Sequence, residues 1–266
     1  MSERALRTAA TGMYAQQVNI EIISNNIANI NTTGFKKNKA EFQDLMYQEV
    51  NINQITSSTP GVEDTTSSTI QVGNGVKPSS SQKIFKQGDV TQTNNPFDLA
   101  IQGEGFFQVR KQDGTYAYTR DGSFKVNAGG QIVTSSGYTL EPGFTLNSDI
   151  ASLAVSKDGT VSANLLDGSS TVLGNIELAR FMNNGGLIAL GDNLYAESQG
   201  SGQPALGTPG AQGFGEVNQG YLEASNVDIV EEMISMIAAQ RAYEINSKTV
   251  KTVEDMMTIA NNLKGA

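Results

Sequence analysis

Apolar side chains recur at two positions in every seven at both ends of the chain. Near the N-terminus, Leu6, Ala9, Met13, Gln16, Ile20, Ile23, Ile27 and Ile30 follow a 3,4,3,4,3,4,3 spacing, and all but Gln16 are apolar. That spacing holds one stripe on one side of an α-helix and is the pattern of a coiled-coil seam. It predicts a helix over 3–31, weakened at Gly12 and ended by Asn31-Thr32-Thr33-Gly34, with Gly34 as a left-handed cap. Near the C-terminus, Met236, Ala239, Tyr243, Asn246, Val250, Val253, Met257 and Ala260 repeat the spacing and predict a helix over 227–263. Ser225 is the expected N-cap, Asp228 its capping-box partner, and Glu231 and Glu232 suit the positive helix end. A second stripe, Ala238, Ala242, Ile245, Thr249, Thr252, Met256, Ile259 and Leu263, runs beside the first, so this helix has two faces with which to pack.

Between the helices the pattern shortens. Residues 51–82 are polar and poor in aromatics, and 56–68 is the least foldable stretch. From Ile84 onward, short apolar runs alternate with turn dipeptides, among them Asp113-Gly114, Asp121-Gly122, Asp158-Gly159 and Asp167-Gly168, all read as hairpin signals. Strands are expected at 99–101, 106–110, 116–119, 131–134, 153–155, 160–163, 171–173 and 176–181, and a Gly- and Pro-rich loop at 200–215. The expected fold is α+β. Long N- and C-terminal helices form a coiled-coil-like domain, and a mainly antiparallel β domain is inserted between them behind an extended polar connector. In numbers, this gives an N-terminal helix segment at 1–33, the connector with its polar insert at 34–92, the β domain at 93–209, a return connector at 210–224 and the C-terminal helix segment at 225–266.

Composition narrows the chemistry. The chain of 266 residues has no Cys, no His and no Trp. That excludes disulfides, thiolate or imidazole metal ligands, and every Ser-His or Cys-His dyad. Lys and Arg number 18 against 27 Asp and Glu, a net charge of −9, so no nucleic-acid partner is expected. The triplet Lys36, Lys37 and Lys39 reads as a solvated helix end or turn. No apolar run is long enough to span a membrane, and the first residues lack the apolar stretch and cleavage site of a Sec signal, so the expectation is a chain that either stays in the cytoplasm or leaves by a route that reads no cleaved signal.

Candidate sites dissolve one by one. Gly103-Glu104-Gly105 lacks a third Gly and a following helix, so it reads as a turn rather than a phosphate loop. The Asp-Gly pairs lack calcium-loop spacing. Glu231 and Glu232 diverge by about 100° on a helix and do not converge on a substrate. Tyr116, Tyr118 and Arg120 read as cross-strand packing, and Met233, Met236, Met256 and Met257 as interhelical packing. No catalytic residue, cofactor or metal ligand is expected.

Three stretches do resemble a known family. Ser24-Asn25-Asn26-Ile27-Ala28-Asn29-Ile30-Asn31-Thr32-Thr33-Gly34-Phe35-Lys36 is similar to the N-terminal signature of bacterial flagellar axial proteins, the rod, hook and hook-associated subunits. Gln219-Gly220-Tyr221-Leu222-Glu223-Ala224-Ser225-Asn226-Val227-Asp228, with Glu231-Glu232-Met233-Ile234 and Gln240-Arg241-Ala242-Tyr243-Glu244-Ile245-Asn246-Ser247-Lys248, resembles their C-terminal signature. Gln102-Gly103-Glu104-Gly105-Phe106-Phe107-Gln108-Val109 and Tyr118-Thr119-Arg120-Asp121-Gly122-Ser123-Phe124 resemble the β domain of the hook and longer rod subunits. The family motif residues are Asn25, Asn26, Asn29, Gly34, Phe35, Gln240, Arg241 and Tyr243. The polar insert matches the distal rod type; a longer proximal-type rod protein is the nearest alternative, and an extracellular adhesin-like β protein the alternative from another class.

The resemblance implies a non-enzymatic subunit of the flagellar basal body that polymerises helically into a drive shaft around an export channel. Implied partners are further copies of itself, proximal rod proteins, the hook protein, P and L ring proteins where an outer membrane exists, and the flagellar type III export apparatus. The implied location is extracytoplasmic. Leu6, Met13, Ile20, Ile23, Ile27, Ile30, Met236, Tyr243, Val250, Val253 and Met257 are the expected assembly interface, because stripes with a thin intramolecular core are better buried among neighbouring subunits.

Overall fold

The structure, a computed structural model, describes residues 2–51, 69–146, 150–165, 167, 169–211 and 213–264. The chain divides into a helical unit (Met1–Asn25, Asn38–Gln82 and Val230–Ala266) and a β unit (Asn26–Lys37 and Lys83–Ile229).

In the helical unit, α1 spans Ser2–Ala28 and four strands follow: β1 (Asn38–Asp44), β2 (Gln48–Asn51), β3 (Thr69–Val72) and β4 (Val76–Lys83). The second helix, α2, spans Ile229–Lys264. α1 stops before the expected residue 31. Past Ala28 the amides of Asn29, Ile30 and Thr32 reach back three residues, to Asn26, Ile27 and Asn29, in tight turns. Asn and Thr side chains compete for backbone groups and favour such turns over helix. Ile30 therefore stands outside the helix. Gly34 adopts a left-handed φ of +66°, but too far beyond Ala28 to cap α1. The N-terminus of α2 also differs from expectation. Asp228, not Ser225, precedes its first residue, and the Ser225 hydroxyl accepts instead from Val227 N–H at 3.4 Å.

β1 pairs with β4, and β2 runs antiparallel to β3 with Gln48 opposite Val72. The two ladders are joined at a corner, where Leu45 N–H donates to Gly75 O at 2.9 Å and Asn74 Nδ2 to Met46 O at 2.7 Å. The ribbon lies on α1, with Val76 N–H donating to Thr11 Oγ1 at 3.4 Å. Part of the expected polar connector is thus paired strand: β-branched Thr69, Ile70, Val72 and Val76 suit a ladder, and Gln71 between them is exposed. The 56–68 stretch lies outside the described residues. α1 and α2 meet where Gly12 faces Asn246, so close that a Cβ on residue 12 would stand 2.9 Å from the Asn246 Nδ2.

The β unit holds β5 (Val90–Gln92), β6 (Leu99–Gln102), β7 (Phe106–Arg110), β8 (Tyr116–Thr119), β9 (Lys125–Val126), β10 (Ile132–Val133), β11 (Thr139–Leu140), β12 (Ile150–Val155), β13 (Thr160–Leu165), β14 (Ser170–Asn175), β15 (Leu178–Arg180), β16 (Ile188–Gly191), β17 (Leu194–Ala196), β18 (Ala205–Gly207), β19 (Glu216–Gln219) and β20 (Tyr221–Glu223). A nine-stranded sheet runs β16-β17-β8-β7-β11-β10-β9, with β15 joining β7 to β18. β12, β13 and β14 form a meander, β6 pairs with β19, and β5 with β20. Ile101, Phe107, Val109, Leu140, Val161, Ile176, Leu178 and Val217 are fully buried in one core. An aromatic cluster of Phe106, Tyr118, Phe181 and Tyr195, with Phe85 against it, forms a second.

All eight expected strands are present, 106–110 and 116–119 with the expected ends and the other six with shifted ones. β5, β9, β11 and β16 to β20 were not expected. They are short, and β18 crosses the Gly-rich loop because it has β15 to pair with. Asp113-Gly114 and Asp158-Gly159 turn their hairpins, Gly114 at φ +83° and Gly159 at +81°. Asp121-Gly122 is not a hairpin. Leu99 N–H donates to Gly122 O at 3.1 Å, and a Cβ on residue 122 would meet Leu99 O at 1.6 Å, so this Gly serves close backbone approach. Gly168 lies outside the described residues.

Candidate functional site

Two arrangements stand out, one in each unit. In the helical unit the apolar stripes of α2 are unequally covered. Along the first stripe Ala239 and Val253 are buried, Met236, Asn246 and Val250 half-buried, and Tyr243 and Met257 about two-fifths exposed. The second stripe is open: Ile245 is 63% exposed, Met256 56% and Ile259 61%. Val230, Met233, Ile234 and Ile237 are also exposed in the first turns of α2. On α1, Leu6, Met13 and Ile20 are half-buried and Ile23 is buried; Ile27 and Ile30, in the β unit, are half-buried. The residues expected to form the assembly seam are thus the more covered ones.

In the β unit, the segment that follows α1 and the segment that precedes α2 are bonded together. Gly34 N–H donates to Glu223 O at 2.8 Å, and Asn226 N–H to Phe35 O at 3.4 Å. The Asn226 side chain ties three passes of the chain. Its Oδ1 accepts from Lys37 N–H at 2.8 Å, and its Nδ2 donates to Ile84 O at 2.8 Å and Lys86 O at 3.0 Å. Gly34 is required twice over, by its positive φ and because a Cβ there would fall 2.6 Å from Asp121 N. Thr33 holds the same spot, its hydroxyl donating to Asp121 Oδ1 at 2.9 Å while its carbonyl accepts from Asn193 Nδ2 at 3.0 Å.

Beneath this lies a buried ion cluster. Lys36 Nζ is paired with Glu223 Oε1 and donates to Lys86 O at 2.9 Å. Glu223 Oε1 also accepts from Gly88 N–H at 3.0 Å, and Glu223 Oε2 meets Arg120 Nη1 at 3.3 Å. Arg120 Nη2 donates to Gly103 O at 2.7 Å, and the guanidinium sits 5.4 Å from the Phe106 ring centre. Burial pushes the Lys36 ammonium below its ordinary range; Glu223 opposes this, and Arg120 adds to it. Burial likewise lowers Arg120, again against Glu223. Lys83 Nζ stands 5.0 Å over the Phe35 ring and is lowered by its own burial. Burial also raises two phenols of the aromatic cluster, Tyr118 to about 12 and Tyr195 further.

Lys36 is therefore a correction: it is not a solvated turn lysine but a wholly buried one, because Glu223 supplies the carboxylate that makes burial tolerable. Arg120 too is buried ion pair rather than strand packing. Of the family-motif residues, the structure brings Gly34 and Phe35 to this junction; Asn26 is buried, and Asn29 Oδ1 accepts from Thr32 Oγ1 at 3.1 Å. Asn25, Gln240 and Arg241 are exposed, Arg241 pairing with Glu244 at 2.7 Å. Glu223 and Asn226 were missed as site residues. The available signal was a Glu and an Asn in an apolar-flanked turn before a helix, which is weak.

A β unit whose two chain ends are stapled together, flanked in sequence by long helices with apolar side chains on their surface, is the design of a structural subunit that assembles. The comparisons with known proteins agree. Residues 6–36 match the family described as flagella basal body rod protein, 100–163 the flagellar hook protein FlgE/F/G D1 domain, and 218–263 the flagellar basal body rod FlgEFG protein C-terminal region. The chain is 49% identical over 265 residues to the flagellar basal-body rod protein FlgG of Borreliella burgdorferi, covering 98% of each. It is 48% identical to that of Caulobacter vibrioides, covering 98% of this chain and 99% of the relative, and 36% to that of Bacillus subtilis with the same coverage. The chain belongs to the flagellar basal-body rod protein FlgG family and is a structural rod subunit of the flagellar basal body.

Proposed function

We propose that copies of this chain stack helically into the distal rod, the shaft that carries torque from motor to hook and encloses the export channel. The observation that carries this reading is the open apolar face of α2, with Ile234, Ile237, Ile245, Met256 and Ile259 exposed; among the described residues no helix is long and apolar enough to cross a membrane. Exposed apolar surface of this extent marks a contact surface. A heterologous, non-closing contact through it extends without limit, as a shaft needs. The sequence-derived seam (Leu6, Met13, Ile20, Ile23, Ile27, Ile30, Met236, Tyr243, Val250, Val253 and Met257) contributes what remains half-exposed, and the second stripe contributes more. Proximal rod proteins below, hook protein above, and P and L rings where an outer membrane exists are the partners this position demands, with delivery through the type III export apparatus to the periplasmic side. The test is polymerisation of purified subunit, followed by sedimentation and electron microscopy. Rod-like polymers that vanish when the α2 face is made polar are expected. Polymers that persist with that face made polar would reject the interface.

A further inference from the structure

We propose that the Lys36–Glu223–Arg120 cluster is a charge latch that makes docking of the segment after α1 conditional on docking of the segment before α2. This goes beyond the assembly reading and does not depend on it. Two cations, Lys36 and Arg120, share the one carboxylate of Glu223, and all three side chains are buried. A buried cation without its counter-charge is strongly disfavoured. Lys36 therefore cannot settle against Lys86 O until Glu223 is in place. Glu223 in turn is fixed by Gly88 N–H and by Arg120, which the β unit provides only once β7 and β8 have formed and delivered residue 120. The backbone bonds Gly34–Glu223 and Phe35–Asn226 close at the same moment, because they flank the cluster. Closing a loop of this length has an entropic cost that the backbone bonds alone do not offset, so the junction waits for the folded β unit. The segment after α1 consequently docks with or after the segment before α2, which β5 already holds through β20, and never ahead of it.

Hydrogen exchange on the full chain tests this. Glu223→Gln leaves buried Lys36 with no anion, and buried Arg120 with only the unbonded charge of Glu104. Amides of Gly34, Lys37 and Asn226 should then exchange roughly 100-fold faster or more, while Phe107 and Val109 in β7 stay within about threefold. Adding Lys36→Met to Glu223→Gln removes one stranded cation and should recover at least about tenfold of the lost protection. Unchanged junction protection in Glu223→Gln, collapse of β7 protection alongside it, or no recovery in the double variant each overturns the latch. Pulse-labelled refolding of the unaltered chain gives an independent reading. β7 and β8 amides should become protected first, and those of Gly34, Lys37 and Asn226 together in one later phase. Protection of Gly34 ahead of Asn226, or of either ahead of β7, overturns it as well.

Discussion

In the β unit, Ile101, Phe107, Val109, Leu178 and Val217 are entirely withdrawn from solvent, whereas α2 leaves Ile234, Ile237, Ile245 and Ile259 more than half exposed. Both regions are built from similar apolar side chains. The β unit encloses them by layering a nine-stranded sheet with shorter ladders, so the inner faces of its central strands find partners within the same unit, while edge strands such as β16 stay exposed. A single long helix cannot do this: it covers one stripe and leaves the next open. The difference teaches that one region carries its own stability, while the other holds apolar surface in reserve for a neighbour.

The largest expected effect is on assembly. Replacing Ile245 and Ile259 together by Asp should abolish polymer, since a buried unpaired carboxylate costs several kcal/mol and a helical array repeats that cost in every copy. Circular dichroism of the monomer should be unaltered. Polymers of normal length in the double variant would show that the α2 face is merely solvated. Next comes the stability contrast itself. Phe107→Ala should destabilise the monomer by about 3–5 kcal/mol, and Ile245→Ala by no more than about 0.5 kcal/mol, read from urea midpoints. Comparable losses would erase the distinction between the two regions.

A smaller effect follows from the buried titratable groups of the β unit. Lys36 and Lys83 have lowered values, so the folded chain releases these protons before the unfolded chain does. Their contribution to stability is fully present above the unfolded value near 10.5 and is lost as pH falls through their lowered folded values. Tyr118 and Tyr195 are raised, so their contribution is present below about 10 and lost as pH climbs, for Tyr118 toward about 12. Urea unfolding across the alkaline range should show a rise followed by a fall. Lys36→Met should reduce the rise to the share of Lys83 and leave the fall; a fall that shifts with Lys36 would contradict this assignment. The smallest effect is at Gly12. Ala there gains about 1 kcal/mol of helix propensity but must push aside the Asn246 carboxamide, so thermal melting should move by only a few degrees. A large drop would mean that the Gly12–Asn246 contact is rigid.

The strands with strong apolar alternation and both helices were legible from the sequence, because local pattern decides them. β16 to β20 were not, since short segments such as Ala205–Gly207 become strands only when β15 offers its edge. The helix ends were misjudged by a few residues: past Ala28 the backbone closes into tight turns, and α2 begins only at Ile229. The ion cluster was the deeper miss. Lys36 sits in a Lys-Lys-Asn-Lys run that looks wholly solvated, and the carboxylate that buries it comes from the far side of the chain, at Glu223. Both lie within the family signatures, yet nothing local to either residue says that the two pair. Gly34 was singled out for the right conformation and the wrong purpose: its missing side chain makes room for the Arg120–Asp121 backbone rather than capping α1.

The three-way grip of Asn226 has an evolutionary corollary. Ile84 N–H donates to Lys37 O at 2.9 Å, so the chain, having departed after Lys37, returns to the point from which it left. Everything from 38 to 82 is then a closed excursion whose length is invisible to the β unit. In-frame duplication or trimming within it changes neither the register at Lys37 and Ile84 nor the clasp of Asn226 on both. Natural variation in size is expected to collect there, and a foreign epitope spliced into the excursion should leave the melting of the β unit where it was.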